Sequence, residues 1–353
     1  MSTYTRKIKI GNIYIGNGER IAIQSMTNTD TADVESTLAQ IKALESAGAD
    51  IVRLSCYDES CIKAIKEIKK HTKIPLVADI HFDYKLAIAA CESGIDKLRI
   101  NPGNIGGREK VQAVVSAAKT ANIPIRIGVN SGSVERELLQ KYGGPTAQAL
   151  AESALNHAKL LENEGFYDIV ISIKASDVKT TVEANLLLSK SVDYPLHLGV
   201  TEAGLGESAI VKSSIGIGAL LLLGIGDTIR VSITGDVVQE VIAAKQILRA
   251  LDLSDEGYID FISCPTCART TGDLEKLVLR VKNELAAFTP KHKVKIAIMG
   301  CVVNGPGEAR EADIGIAFAK KGAAVFKKGE LVYSGDIDET IERFISDCKE
   351  LIR

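Results

Sequence analysis

The stretch DIVRLSCYDESCIKAIKEIKKHTKIPLVADI, from Asp50 to Ile80, has the form of a strand, a helix and a second strand. DIVRLSC (50–56) and PLVADI (75–80) are short apolar runs of β character. CIKAIKEIKKHT between them repeats apolar residues at helical spacing and leaves lysines for the other face. Similar runs occur on both sides, at IAIQSM (21–26), KLRINPG (97–103), PIRIGVN (124–130), DIVISIKAS (168–176), PLHLGVTEAG (195–204) and DTIRVSITGD (227–236). VESTLAQIKALESAGA (34–49), KLAIAACESG and TAQALAESALNHAKLLENEG fill intervals between them as helices, the first closing on a glycine suited to a C-cap. Eight strands alternating with helices over about 250 residues predict an α/β protein whose N-terminal part is a (β/α)8 TIM barrel. The alternative is a doubly wound open sheet. The glycine repeat within 214–220 lends it little support, because it opens no helix directly after a strand. KIKIGNIYIGNGE at the start predicts a small hairpin closing the barrel floor.

LDLSDEGY (251–258) breaks the rhythm and reads as a linker. Beyond it, DFISCPTCART, GDLEKLVLRVKNELAAF, KVKIAIMG, DIGIAFA, AAVFKKGELVYSG and DETIERFISDCKELI predict a smaller α/β domain. The expected division is therefore a barrel over 1–250 and a second domain over 258–353. The formal net charge of −2 argues against nucleic acid as the main partner. MSTYTRKIKIGN has no signal-peptide character, and IGIGALLLLGIG (215–226) is too short to span a bilayer, so a cytoplasmic protein without membrane attachment is expected.

Five barrel strands carry a cation among apolar residues: Arg53, Arg99, Arg126, Lys174 and Arg230. Parallel barrel strands are covered on both faces, so each cation loses hydration, at several kcal/mol unless an anion compensates. Asp79 and Glu202 are the expected internal acids, and two acids cannot neutralise five cations. The imbalance predicts a ligand with at least two phosphate charges at the C-terminal mouth of the barrel, where guanidinium forks match phosphate oxygens. Asn101, Asn130 and Ser232 follow these cations and are candidate neutral donors. His81 and His197, also at strand ends, are as compatible with structural roles as with proton transfer.

The chain has seven cysteines. Cys56, Cys61, Cys91 and Cys348 fall in strand or helix patterns and read as buried thiols. Cys264 and Cys267 form a C-x-x-C after FIS, and Cys301 follows IAIM. If those two strands are neighbours, three thiols meet. C-x-x-C alone fits a redox dithiol, half a zinc site or iron–sulfur ligation. The absence of an obvious fourth thiol favours a cluster with a less firmly held iron, Glu308 being the remaining ligand candidate, over a closed structural zinc site.

VADIHFDY, LRINPGNIG, PIRIGVNSGS, SIKASDV, LGVTEAG, GIGDTIRVSITGD, CPTC and GCVVNGPGEA together resemble the 4-hydroxy-3-methylbut-2-enyl diphosphate synthases, in their shorter bacterial form, over nearly the whole chain. The resemblance implies reductive ring opening of 2-C-methyl-D-erythritol 2,4-cyclodiphosphate in isoprenoid biosynthesis. It implies a [4Fe-4S] cluster on Cys264, Cys267, Cys301 and Glu308, so that the second domain is an iron–sulfur domain. It matches Arg53, Arg99, Arg126 and Lys174 to cations holding the substrate, and Asn101, Asn130 and Ser232 to polar partners. Asn304 lies beside the cluster and Glu202 matches a carboxylate implicated in protonation. No flavin or nicotinamide motif is present, so electrons are expected from flavodoxin or ferredoxin. A linker of about seven residues reaches about 25 Å at most. That is too short to carry the second domain from the barrel floor to its own mouth, so a homodimer with each cluster domain capping the partner's barrel is expected. The competing readings are a non-redox barrel lyase or transferase with structural zinc, and an iron-responsive sensor. The first leaves the open fourth position unexplained and the second leaves the cations idle.

Overall fold

The structure is a computed structural model that describes residues 4–270, 273–301, 309–319 and 322–353. It divides into two compact units, Met1–Leu253 and Ser254–Arg353. In the first, β1 (Ile8–Ile10) and β2 (Ile13–Ile15) form an antiparallel hairpin. Eight parallel strands follow: β3 (Ala22–Met26), β4 (Ile51–Ser55), β5 (Leu76–Asp79), β6 (Lys97–Ile100), β7 (Ile125–Asn130), β8 (Ile169–Lys174), β9 (His197–Leu198) and β10 (Thr228–Ile229). Strands neighbouring in sequence pair from β3 to β8, β9 pairs with β10, and β10 returns to β3. A bridge between Ile171 and Leu196 joins β8 to the run leading into β9 and closes the barrel.

Helices α1 (Val34–Ala47), α2 (Glu59–Ile68), α3 (Tyr84–Glu92), α4 (Pro102–Ile105), α5 (Arg108–Ala121), α6 (Arg136–Tyr142), α7 (Ala147–Glu162), α8 (Val178–Ser189), α9 (Gly206–Leu221) and α10 (Val238–Ala250) occupy the connections. Asp33, Asp58, Asp83 and Asp177 cap α1, α2, α3 and α8 by accepting a backbone N–H of the first turn. Gly48 ends α1 at φ 99°, a left-handed position where a side chain is disfavoured.

Strand alternation separates two environments. Leu98, Ile100, Ile125, Ile127, Val129, Ile171 and Ile173 point outward into the core shared with the helices. Their inward neighbours begin with an apolar layer of Ala22, Ile51, Val77 and Val170, sealed below by Ile8, Ile10 and Ile15 of the expected floor hairpin. Above that layer the interior turns polar. β9 and β10 are much shorter than the apolar runs that encode them. Past Leu198 and Ile229 the ladder gives way to single bonds, such as Thr201 N–H to Ala175 O (3.2 Å) and Thr234 N–H to Gly204 O (3.0 Å). KLRINPG likewise leaves the sheet after Ile100, where Asn101 caps α4 and Pro102 supplies a first-turn residue that needs no donor. The glycine repeat within 214–220 lies inside α9, where a Cβ on Gly216 would sit 2.5 Å from Val200 Cγ2.

The second unit is a five-stranded sheet in the order β11 (Ile259–Ser263), β12 (Val294–Met299), β13 (Ile314–Ala319), β14 (Gly322–Lys327), β15 (Glu330–Gly335). β11, β12 and β13 are parallel, and the last three strands form an antiparallel meander. Helices α11 (Leu274–Leu285) and α12 (Ile337–Ile352) share a core with Ile296, Ile298, Ile316 and Val325 of the sheet. Ala297, Met299, Ala317 and Phe326 form a smaller cluster apart from it. No helix among the described residues is long and apolar enough to cross a membrane.

Ile10 is fully buried in the floor layer. Ile10→Ala should therefore destabilise the barrel by about 2–5 kcal/mol, read as a lower urea midpoint with an unchanged slope.

Candidate active site in the barrel mouth

Arg53, Asp79, Arg99, Arg126, Lys174 and Arg230 line one cavity of about 250 Å³, together with His81, Asn130, Ser172 and Ser232. The five cations singled out by the sequence thus converge on one place. They reach it from different depths. Lys174 ends β8 and Arg230 immediately follows β10, whereas Arg126 is the second residue of β7 and enters from beneath, fully buried.

Asp79 is one of the two carboxylates in this interior. Arg99 donates to its Oδ1 at 3.0 Å, Arg53 Nε stands 3.8 Å from Oδ2, and His81 Nε2 is 3.2 Å from Oδ2. Burial opposes its ionisation. The charges of Arg53 and Arg99 and the His81 hydrogen bond overcome that and hold the carboxyl far below the usual range. The second carboxylate is Glu240, not Glu202. Glu240 lies on α10, accepts from Arg230 at 3.1 and 3.2 Å, from Ser25 Oγ at 2.9 Å and from Ile233 N–H at 3.2 Å, and is buried. Glu202 is exposed on the loop after β9 with φ 53°, and it does not line the cavity. A non-glycine residue held in the left-handed region costs about 1–3 kcal/mol.

With Asp79 and Glu240 engaged, charge compensation is incomplete. Arg53 donates its Nε and Nη2 to the Met26 thioether at 3.0 and 2.8 Å, a weak acceptor, and burial brings it down to about 10. Arg126 Nε and Nη1 are buried with no hydrogen-bond partner among the described residues. Lys174 has no carboxylate within ion-pair distance among those residues, and burial, then the charges of Arg230, Arg126 and Arg53, push it well below its usual range. Two glycines make room for these side chains. A Cβ on Gly128 would fall 2.4 Å from Arg99 Nε, and one on Gly199 would fall 2.7 Å from Lys174 Nζ. Such a preorganised set of donors is suited to a compact polyanion.

The other sequence candidates divide. Asn130 and Ser232 line the cavity. Asn101 spends its carbonyl oxygen on Gly103 N–H at 3.0 Å, while its Nδ2 is buried without a partner among the described residues. His81 is half-exposed at the cavity. His197 is fully buried below it, Nδ1 2.8 Å from Thr228 Oγ1, and burial with the surrounding cations holds the ring neutral. Sequence reasoning missed Glu240 and Lys97. Glu240 had a signal, since it shares the buried stripe of α10 with Ala243, Ala244 and Ile247. Lys97 alternates with the outward Leu98, and that register marks it as inward.

In the second unit, Cys264 follows β11 and Cys301 follows β12 by one residue, Ser263 standing opposite Ile298 across the parallel pair. The strand ends are thus side by side, and Gly300 N–H donates to Cys264 Sγ at 3.2 Å. Cys267 is exposed. The Arg269 backbone N–H, then the Thr270 hydroxyl and the Arg269 charge, lower its thiol, which favours thiolate. Thiols at adjacent strand ends, with a backbone N–H directed at sulfur, form a donor set that fits an iron–sulfur centre. Among the described residues no three His, Cys, Asp or Glu side chains are gathered closely enough to hold a metal ion. Glu308 and Asn304 lie outside the described residues. Cys56, Cys61, Cys91 and Cys348 are buried as expected, and burial raises Cys56, Cys91 and Cys348 to about 12.

Residues 5–245 match a family model described as the GcpE TIM-barrel domain, and residues 260–350 match the GcpE protein C-terminal domain. A protein of Caldanaerobacter subterraneus is 56% identical over 353 residues, covering 100% of this chain and 99% of its own length. One from Clostridium perfringens is 57% identical over 341 residues, covering 97% of each. Both are named 4-hydroxy-3-methylbut-2-en-1-yl diphosphate synthase (flavodoxin). Among solved structures, 3-dehydroquinate dehydratase from Geobacillus kaustophilus aligns at TM-score 0.52 and 16% identity, over 71% of this chain and 99% of that one. Dihydropteroate synthase from Stenotrophomonas maltophilia aligns at 0.51 and 15%, over 70% and 98%. These two likenesses concern the barrel fold alone.

Glu240→Ala strands the Arg230 guanidinium in the interior and should cost about 3–5 kcal/mol, measured by denaturant unfolding. Lys174 must be charged to bind an anion, and its environment favours the neutral form, so binding should take up protons. Affinity for inorganic pyrophosphate should fall as pH rises, and calorimetry in two buffers of different ionisation heat should show net proton uptake.

Proposed function

We infer, since the chain belongs to the GcpE family, that it catalyses the reductive ring opening and dehydroxylation of 2-C-methyl-D-erythritol 2,4-cyclodiphosphate to 4-hydroxy-3-methylbut-2-enyl diphosphate. The observation that carries this reading is the cavity in which five cations face two carboxylates that are already engaged.

In this reading Arg53, Arg99, Arg126, Lys174 and Arg230 are the substrate-binding cations. Arg126, buried at the base of the cavity, meets the deepest phosphate oxygens. Lys174 and Arg230 hold the ligand from the β8–β10 side, and Asn101, Asn130 and Ser232 add neutral hydrogen bonds. Asp79 keeps Arg53 and Arg99 in position and stays ionised itself, so it is no proton source at neutral pH. Glu202 is the proposed proton donor, on a loop whose left-handed backbone fixes where the side chain leaves the chain. Cys264, Cys267, Cys301 and Glu308 would hold a [4Fe-4S] cluster, with Asn304 beside it. Such a cluster, when bound, supplies two electrons one at a time. The low thiol of Cys267 and the Gly300 N–H on Cys264 favour thiolate in that set. Flavodoxin, the donor in the relatives' name, is the proposed electron source, with ferredoxin as the alternative. The short linker supports a homodimer in which each second domain, 258–353, caps the barrel, 1–250, of its partner, and a cytoplasmic location is proposed with it.

Anaerobic purification should yield about four irons and four sulfides per chain, with a visible band that bleaches on reduction. Reduced flavodoxin should then turn over the cyclic diphosphate. Zinc in place of iron after anaerobic reconstitution would overturn the redox reading. Cys264→Ser should lose the visible band while leaving pyrophosphate binding intact. Lys174→Met should lower kcat/KM by about 30-fold or more with the iron content unchanged, because a buried charge partner is worth about 2–5 kcal/mol.

A further inference from the structure

The cations of the mouth are not the only ones in the barrel. Lys97 opens β6, and its side chain is fully buried. Leu98 and Ile100 face the helices, so Lys97 and Arg99 face inward. By the same alternation Gln24 of β3, Arg126 of β7, Ser172 of β8 and His197 of β9 face inward, because Ile23, Ile127, Ile171 and Leu198 face the helices. Lys97, Gln24 and His197 do not line the mouth cavity, while Arg126 does. In the strand ladder they stand level with the apolar floor residues, Lys97 opposite Val77, Gln24 opposite Ile51, and His197 opposite Thr228, which in turn faces Ala22.

This layer is rich in donors that have no acceptor. Lys97 Nζ, Arg126 Nε and Nη1 and Gln24 Nε2 are all buried with no hydrogen-bond partner among the described residues, and His197 Nε2 is unpaired beside them, a donor in the tautomer that leaves Nδ1 to accept from Thr228. Gln24 Oε1 is buried and unpaired as well. Asp79 and Glu240 are bound to Arg99, Arg53 and Arg230 higher up. Burial, then the positive charges of Arg126 and Arg53, push Lys97 well below its usual range, so that its ammonium form needs an anion beside it. Positive charge is crowded here, because Arg126 stands beside Lys97 while Asp79 and Glu240 accept hydrogen bonds from neither. Arg126 cannot shed its proton to relieve it. A buried cation and several buried donors without acceptors cost several kcal/mol unless something accepts from them.

We propose that the barrel holds a second anion site beneath the substrate cavity, a small monoanion of halide size bound by Lys97, Arg126, Gln24 and His197. Lys97, Gln24 and His197 are fully buried and none of them lines the mouth cavity, so an enclosed site among them suits a single small ion rather than a phosphate group. A halide accepts hydrogen bonds from all sides, as donors converging from four strands require. Its charge anchors Arg126 from below, so that the guanidinium is in place before substrate arrives. The site goes beyond the proposed reaction and holds whether or not that reading stands.

The test is bromide anomalous diffraction from anaerobically grown crystals of the holoenzyme, with and without the cyclic diphosphate. A bromine peak in contact with Lys97 Nζ and Arg126 Nε, retained when the cyclic diphosphate displaces bromide from the mouth, is expected. Mouth or surface peaks with none at Lys97, at bromide concentrations that saturate those sites, would overturn the proposal. In solution, chloride at constant ionic strength should raise the Tm of the wild type in a saturating manner, and Lys97→Met should lose that rise. An equal rise in both would also overturn it. Should Lys97→Met fail to fold, the wild-type anomalous map decides alone.

Discussion

Positive charge held inside a covered barrel is the constraint from which the rest of this structure follows. Parallel strands leave no water on either face, so every inward cation needs an anion, a weak substitute or a ligand. Asp79 serves Arg99, Arg53 and His81 together. Glu240 serves Arg230 from the following helix, and Met26 sulfur accepts from Arg53. Gly128 and Gly199 clear volume that any side chain would block. The hairpin and four apolar residues pack together as a floor beneath the charged interior. A pocket built this way is unfavourable until an anion fills it, and that stored cost becomes binding energy for a polyanion.

The second unit meets the opposite requirement. Its parallel strands β11 and β12 end together, and cysteines follow directly on both. The arrangement leaves sulfur at a sheet edge where backbone N–H groups remain available, as Gly300 shows on Cys264. The buried thiols elsewhere are pushed toward the neutral form by burial, and Cys267 is drawn toward thiolate by donors around it. The same residue type is thus inert in one environment and a metal-ligand candidate in another.

Much of the barrel was legible because strand and helix periods differ and the chain keeps them distinct. The floor hairpin and the C-cap at Gly48 could be read for the same local reason. The cations were legible because a charge inside an apolar run is an anomaly that needs no neighbour to be noticed. Their compensation was not. Glu202 follows a strand end and looked inward, yet its backbone turns left-handed and leaves it exposed. Glu240 looked like an ordinary residue in the first turn of a helix, and only the packing of α10 over β10 and β3 sets it against Arg230 and Ser25. Lys97 follows Asp96 at the edge of a strand, and the register of β6 turns it inward.

The sequence by itself determined the (β/α)8 order, the floor hairpin, the inward cations and which cysteines are buried, because each follows from local periodicity or from one residue against its neighbours in the chain. Tertiary structure decided where β9 and β10 end, which carboxylates meet which cations, and which donors remain unpaired. Those outcomes depend on shear around a closed barrel and on the return of a helix across two strands. Such distances are fixed in space by packing, and spacing along the chain does not contain them.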